Sequence, residues 1–303
     1  MYPGNAVTIK GYWDGARFPF FALREEAAAS GQNVILVAPS LGPVSEAGSL
    51  VKRGGFDSFM QQVIEPYLRR AHAAGIDKTI VVAAFHSDYA KANAQLAGII
   101  ARYPTRLNGF AFVHARRDAG RIYAMVKRAV TVWGFRGIKA HGHDAMPTRE
   151  VCEVARALHL PMLVDVVGQA YIMEMLAPQY PDVKFIIPHL GSFADDWRAQ
   201  QQVVDQLVRF PNVYADTSGV RRFDYIVQAV KRAGARKLLF GTDGPWLHPE
   251  VELHKIRALG LSPDEESLIL GGNILRLLRQ SRSARRSARA AHSHSSASPA
   301  IKL

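Results

Sequence analysis

The sequence predicts an α/β fold: a (β/α)8 TIM-type barrel with an atypical first repeat and a disordered, basic C-terminal tail. Three observations predict it. Eight apolar runs of strand length punctuate the chain, and after the first they recur about every 22–30 residues. Most of these runs are continuous rather than alternating, as in parallel strands covered on both faces. Segments of helical period lie between them, so β and α alternate through about 250 residues. Strand count alone also admits a doubly wound open sheet.

Taken in order, the first strand is expected at Val34–Ala38. Its repeat is long and runs through the Gly/Ser-rich "APSLGPVSEAGSLVKRGGFDSF", a composition typical of lids and binding loops. Neither Ser40 nor Ser45 sits in a G-x-S-x-G elbow, so neither has motif support as a nucleophile. The remaining strands are expected at Thr79–Ala84, Gly109–Val113, Gly137–Ala140, Met162–Val167, Phe185–Pro188, Val213–Asp216 and Leu238–Gly241. Among the helices, "DAGRIYAMVKRAV" offers Asp118 as N-cap and a stripe of Ile122, Met125, Val126 and Val130. "TREVCEVARALH" opens on Thr148 and stops before Pro161. "SPDEESLILGGNILRLLRQ" starts on Ser262–Pro263, and Gly271–Gly272 is expected to break or kink it. The expected division is an atypical segment over 1–75, a barrel over 76–279 and a tail over 280–303.

Composition narrows the function classes. The 303 residues are 48% hydrophobic and 21% charged, an ordinary globular balance. No apolar run is long enough for a membrane span, and the N-terminus lacks a secretory pattern. Cys152 is the only cysteine, so no internal disulfide forms, and a reducing cytoplasm is expected. The net charge of +12 raises nucleic acid as a partner. However, Arg282, Arg285, Arg286, Arg289 and Lys302 crowd into a low-complexity Ser/Ala/Arg tail that cannot bury enough surface to order itself. No helix-turn-helix, zinc-finger or aromatic stacking signature accompanies that charge. The expected partners are a small-molecule substrate and, by default for a soluble enzyme, a second copy of the chain.

Chemistry concentrates where strands end. "KFIIPHLGSF" delivers His189, and "KLLFGTDGPW" delivers Asp243, each after an apolar run and before Gly and Pro punctuation. Strand C-termini are where parallel barrels hold their reactive groups. "GFRGIKAHGH" spaces Lys139, His141 and His143 by two, which puts all three on one face if the strand continues that far. An H-x-H pair on one strand suits zinc or a similar ion. Asp165 in "MLVDVVG" is an oxygen ligand for a mixed site. Buried, it needs a cation or donor, a need that Lys139 also meets. His86 and His114 close the second and third strands, as rim residues or as caps of the following helices. Asp216 in "VYADTSG" ends the seventh. Arg221 and Arg222 suit a substrate carboxylate or a solvated helix start. Trp246 walls the pocket or packs beneath it.

Over about residues 72–279 these phrases resemble the amidohydrolase superfamily, in its amidohydrolase-related branch of metal-dependent hydrolases and decarboxylases. The resemblance implies that Asp243 binds metal or accepts a proton from metal-bound water. It implies that His189 binds metal or polarises the substrate carbonyl, and that Lys139 and His141 line the site. Near Asp165 the family usually has a metal-binding histidine. Its first strand ordinarily ends in H-x-H; here it ends "VAPSLGP", and no H-x-H precedes residue 141. Three arrangements follow: the ion is held by His141, His143, His189 and Asp243 with Asp165 nearby; no ion is bound; or the site is inactive. The resemblance implies a metal-dependent hydrolase of a small amide, ester or lactone, with zinc favoured and manganese or iron also suited. The alternatives are a metal-dependent decarboxylase of an aromatic or unsaturated acid, and a non-catalytic barrel.

Overall fold

The computed structural model describes residues 64–83, 86–193, 195–244 and 247–283. The expected first strand, its long loop, Trp246 and the tail beyond residue 283 lie outside the described residues. Two compact units divide the chain: Met1–Gly109 with Asp243–Glu250, and Phe110–Thr242 with Val251–Leu303.

In the first unit, α1 (Glu65–Ala73) buries Tyr67, Leu68 and Ala71 and leads into β1 (Thr79–Val82). Tyr67 Oη lies 3.2 Å from Thr79 Oγ1, tying helix to strand. Next comes α2 (Tyr89–Arg102), whose N-cap is Asp88: its carboxylate accepts from the Ala90 and Lys91 amides. Tyr89, Ala92, Asn93, Leu96 and Ile99 form its buried stripe at helical spacing.

The second unit begins within β2 (Leu107–Phe112). It continues through α3 (Ile122–Val132), β3 (Gly137–His141), α4 (Arg149–Ala157), β4 (Met162–Asp165), α5 (Ile172–Gln179), β5 (Phe185–Ile187), α6 (Trp197–Arg209), β6 (Val213–Asp216), α7 (Phe223–Ala233) and β7 (Leu238–Leu239). All pairings from β2 to β7 are parallel, and the strands lie in chain order. The fold is that of a TIM-type β/α barrel, with seven of the expected strands described. α8 (Pro249–Arg257) and α9 (Pro263–Ser267) follow β7.

Register explains the unbroken apolar runs. Lys139 pairs with Leu163, Leu163 with Ile186, and Ile186 with Tyr214, so these side chains form one cross-strand row. Ile186, Tyr214 and Leu239 pack with Leu277, and Leu163 and Ile274 close against them. The opposite face carries Ile138, Ala140, Met162, Val164, Phe185, Ile187, Val213 and Ala215, all buried. One row further along the first face stand His141 and Asp165, themselves a register pair, and Asp216, two residues past Tyr214. The apolar row therefore floors the row that carries chemistry.

Two local expectations change. Asp118 does not cap α3, whose N-cap is Arg121 and makes no side-chain cap bond. Instead Asp118 is fully buried, accepting the His114 amide at 2.9 Å and the Arg121 guanidinium at 2.6 Å. It closes the turn after β2, so the helix starts four residues later. Gly271–Gly272 does not break the last helix either. α9, capped by Ser262 in a capping box with Glu265, passes through a π-turn over Leu268–Gly272 and continues over 273–283. The widened turn redirects the Ile269 carbonyl, which accepts the Phe240 amide at 2.9 Å beyond β7. Asn273 then locks the helix by donating to the Ala235 and Leu238 carbonyls.

Candidate active site

In the second unit, three strand ends bring His141, Asp165 and His189 together. His141 Nε2 lies 3.2 Å from Asp165 Oδ2, and His189 Nε2 lies 3.7 Å from the same oxygen. Asp165 Oδ1 accepts the Val167 amide at 3.0 Å. Lys139, two residues before His141 on β3, is buried on the same face, as are Asp165 and His189.

Hydrogen bonds fix which ring nitrogens carry protons. His189 Nδ1 lies 2.8 Å from the Ser218 carbonyl and 3.0 Å from Ser218 Oγ. A carbonyl only accepts, and Ser218 Oγ already donates to Asp216 Oδ1 at 2.6 Å. Both partners therefore require a proton on Nδ1, and in the neutral ring the Nε2 lone pair faces Asp165. His141 is the reverse. Its Nδ1 accepts the His143 amide at 3.2 Å, so its proton resides on Nε2 and is donated to Asp165.

The charges follow from this placement. Burial lowers the His141 pKa to about 3; Asp165 alone works against that shift, while Lys139, His143 and His189 reinforce it. His141 is thus a neutral donor at physiological pH. Burial also opposes ionisation of Asp165, but His141, Lys139, His189 and the Val167 amide outweigh it and hold the carboxyl well below its usual range.

Strand β5 ends under strain. His189 and Leu190 adopt left-handed φ values of 59° and 48°, conformations that cost about 1–2 kcal/mol each outside glycine. Asp216 Oδ1 accepts the His189 and Ser218 amides at 3.1 and 3.0 Å, besides the Ser218 hydroxyl, and so clamps the β5 and β6 ends together. The expected rim carboxylate is thus a backbone clamp. Gly219 follows at φ 64°, where an added Cβ would stand 2.5 Å from the Phe193 ring and 3.5 Å from His189 Nδ1. Glu252 of α8, almost fully buried, accepts the Gly219 amide at 3.0 Å and the Lys255 ammonium at 2.6 Å. Lys255 in turn donates to the Val220 carbonyl.

The other expected residues are placed as follows. The β3 strand stops at His141, and the His143 ring stacks on that of His141 at 5.0 Å instead of extending the row. His114 Nδ1 accepts the Arg116 and Arg117 amides, capping the turn after β2. Arg221 pairs with Asp195 at 3.3 Å, whereas Arg222 is held by Asp224. In the first unit, His86 is buried and its Nδ1 accepts the Asp88 amide, steadying the cap of α2. Asp243 belongs to that unit too, with a left-handed φ of 41°. Sequence reasoning missed Ser218, Gly219, Phe193 and Glu252. The first two lie in "VYADTSG", where a strand-ending carboxylate followed by Ser–Gly signals a side-chain-braced turn; an isolated glutamate in a helix carries no such signal.

The sequence profile of the amidohydrolase family matches residues 46–280. The chain belongs to the amidohydrolase family. The match starts earlier than the resemblance read from the strand-end phrases. Among solved structures, 2,6-dihydroxybenzoate decarboxylase from Rhizobium is 18% identical with a TM-score of 0.57, covering 70% of this chain and 87% of its own. The 5-carboxyvanillate decarboxylase from Novosphingobium aromaticivorans, solved with bound manganese, is 16% identical with a TM-score of 0.60, covering 86% and 93%. A probable 2-pyrone-4,6-dicarboxylic acid hydrolase from Acinetobacter baumannii is 16% identical with a TM-score of 0.57, covering 72% and 89%. At these identities the likeness establishes the fold. No curated protein sequence matches the chain significantly. Among the described residues, no helix is long and apolar enough to cross a membrane.

A divalent ion, implied by the family resemblance, can be tested against these donors. Among the described residues, no group of three or more His, Cys, Asp and Glu side chains is arranged to hold one. His189 has the right form, with Nδ1 bound to a carbonyl and Nε2 on the side of Asp165, 3.7 Å from its Oδ2. His141 does not, because its Nε2 proton occupies the position a ligand lone pair would need. The described donors do not fit a divalent ion.

Proposed function

We propose that this amidohydrolase-family enzyme hydrolyses a small carbonyl compound (an amide, ester or lactone) and that His189 moves the protons. The observation that carries this reading is the fixed orientation of His189, with Nδ1–H on the Ser218 carbonyl and Nε2 facing Asp165 Oδ2. In the neutral ring Nε2 accepts the proton of a water as its oxygen attacks the carbonyl carbon. Asp165 stabilises the imidazolium that forms, as in other base–orienter pairs. The same Nε2–H is then returned to the leaving nitrogen or oxygen as the tetrahedral intermediate collapses. His141 holds the carboxylate in place by donating Nε2–H. Asp243 is proposed as a second proton-handling residue on sequence grounds, and Asp243→Asn tests it separately.

The test is a panel of simple lactones, esters and amides with the purified full chain and His189→Ala. Loss of about 10²–10⁴-fold in turnover is expected for the variant. Undiminished turnover in the variant overturns the reading.

A second reading is favoured by one observation. Phe193, 47% exposed, stands edge-on to the His189 ring at 5.1 Å, and Asp195 on the same loop holds Arg221. An aromatic acid could lie on Phe193 with its carboxylate toward Arg221. Decarboxylation would then break the ring-to-carboxylate bond, leave the electron pair on carbon, and move Nε2–H of the His189 imidazolium, protonated beforehand from solvent, onto that carbon as carbon dioxide departs, which leaves the ring neutral. Two structural neighbours are decarboxylases by name. Carbon dioxide release from hydroxylated benzoates, measured beside ester cleavage, separates the two.

A further inference from the structure

We propose that the Lys139 ammonium is the built-in cation of this site, balancing Asp165, and that the His141–Asp165–His189 set works without a divalent ion. The inference rests on the reading of this set as the reaction centre. A buried carboxylate needs compensating charge, and a metal ion is only one way to supply it. Here β3 supplies it covalently. Lys139 precedes His141 by two residues on the same face, His141 and Asp165 are direct register partners, and the Lys139 charge is among those that hold the Asp165 carboxyl below its usual range.

Asp165 is already engaged on both oxygens. The Val167 amide binds Oδ1, and the two imidazoles face Oδ2. His141 turns a proton, not a lone pair, toward that oxygen, because the His143 amide occupies its Nδ1. An ion entering here would have to displace that proton and sit near a fixed positive charge. No histidine occurs among residues 1–63 to replace His141 as a ligand.

The first experiment is equilibrium titration of the chelator-treated full chain with Mn²⁺ and with Zn²⁺, the free Mn²⁺ being read by electron paramagnetic resonance. Expected is no saturable site tighter than about 1 mM that depends on Asp165 or His189. Binding that persists unchanged in Asp165→Asn and His189→Ala places the ion elsewhere and supports the proposal. Near-stoichiometric binding that both variants abolish overturns it. The second experiment is thermal unfolding of Lys139→Met, Asp165→Asn and the double variant. Lys139→Met is expected to lower the melting temperature by several degrees, and adding Asp165→Asn to recover part of the loss. Where Lys139→Met fails to fold, recovery of folded protein in the double variant supplies the same reading. A double variant no better than Lys139→Met overturns the coupling. None of these readouts uses turnover, so a chain that meets them and cleaves no ester fails only the hydrolase reading.

Discussion

At the residue scale, the candidate site is held by atoms that leave little room for variation. Gly219 is the clearest. It adopts a left-handed φ of 64°, and its missing side chain admits the Phe193 ring on one side and His189 Nδ1 on the other. Gly219→Ala would have to accept left-handed strain of about 1–2 kcal/mol and also push away an aromatic ring. The expected outcome is a melting temperature lower by several degrees and a turnover drop that exceeds what the stability loss explains, because the displaced ring rests on His189. Calorimetry and steady-state kinetics on the same preparation check it. Unchanged kcat with a lower melting temperature would show that the turn braces the fold but not the imidazole.

At the scale of the element, the strands were legible in the sequence because parallel strands covered on both faces must be apolar throughout. "FIIP", "MLVDV" and "VYAD" each announced themselves that way. Helix starts were less legible, since a cap residue reads the same whether it caps or closes a turn. Asp88, Asp196 and Ser262 cap; Asp118 closes a turn, and nothing local in "RRDAGR" distinguishes it. The Gly–Gly pair was read as a break or kink because its compensation lies far away, in the Phe240 amide that takes the carbonyl the π-turn redirects.

The same dependence on distant partners appears where β6 begins. The Lys237 ammonium donates to the Phe210 and Val213 carbonyls and lies over the Tyr214 ring. Burial, followed by Lys184 and Arg276, lowers its pKa from 10.5 to about 8. Between those values the unfolded chain holds the proton and the folded chain releases it. Stability therefore rises with pH across that window, relative to a variant without the group. Comparing urea unfolding of wild type and Lys237→Met from pH 7.5 to 10.5 should show wild type gaining on the variant. Parallel curves would refute the assignment.

At the scale of the whole molecule, the site is a product of register and is only partly written in any one segment. Lys139, His141, Asp165 and His189 were legible because each ends a strand or lies within two residues of an end. That Asp165 is the common focus of two imidazoles was not legible, because it depends on β3 pairing with β4 at His141–Asp165. Nor was the support behind His189, which runs from α8 to the turn after β6: Lys255 to Glu252, Glu252 to the Gly219 amide, and the Ser218 carbonyl to Nδ1.

That support line makes Glu252 the remote residue with the largest expected effect. Glu252→Ala leaves the Gly219 amide without its acceptor and leaves the half-buried Lys255 ammonium with the Val220 carbonyl but no anion, a cost of about 2 kcal/mol. Glu252→Gln keeps an oxygen for the Gly219 amide while losing the negative charge that pairs with Lys255, so it should recover part of the stability. If the line acts through His189, the alanine variant should lower kcat more than it raises KM, and glutamine should restore kcat toward wild type. Equal kcat in all three proteins, with only the melting temperatures differing, would show that the turn keeps Ser218 in place without help from α8.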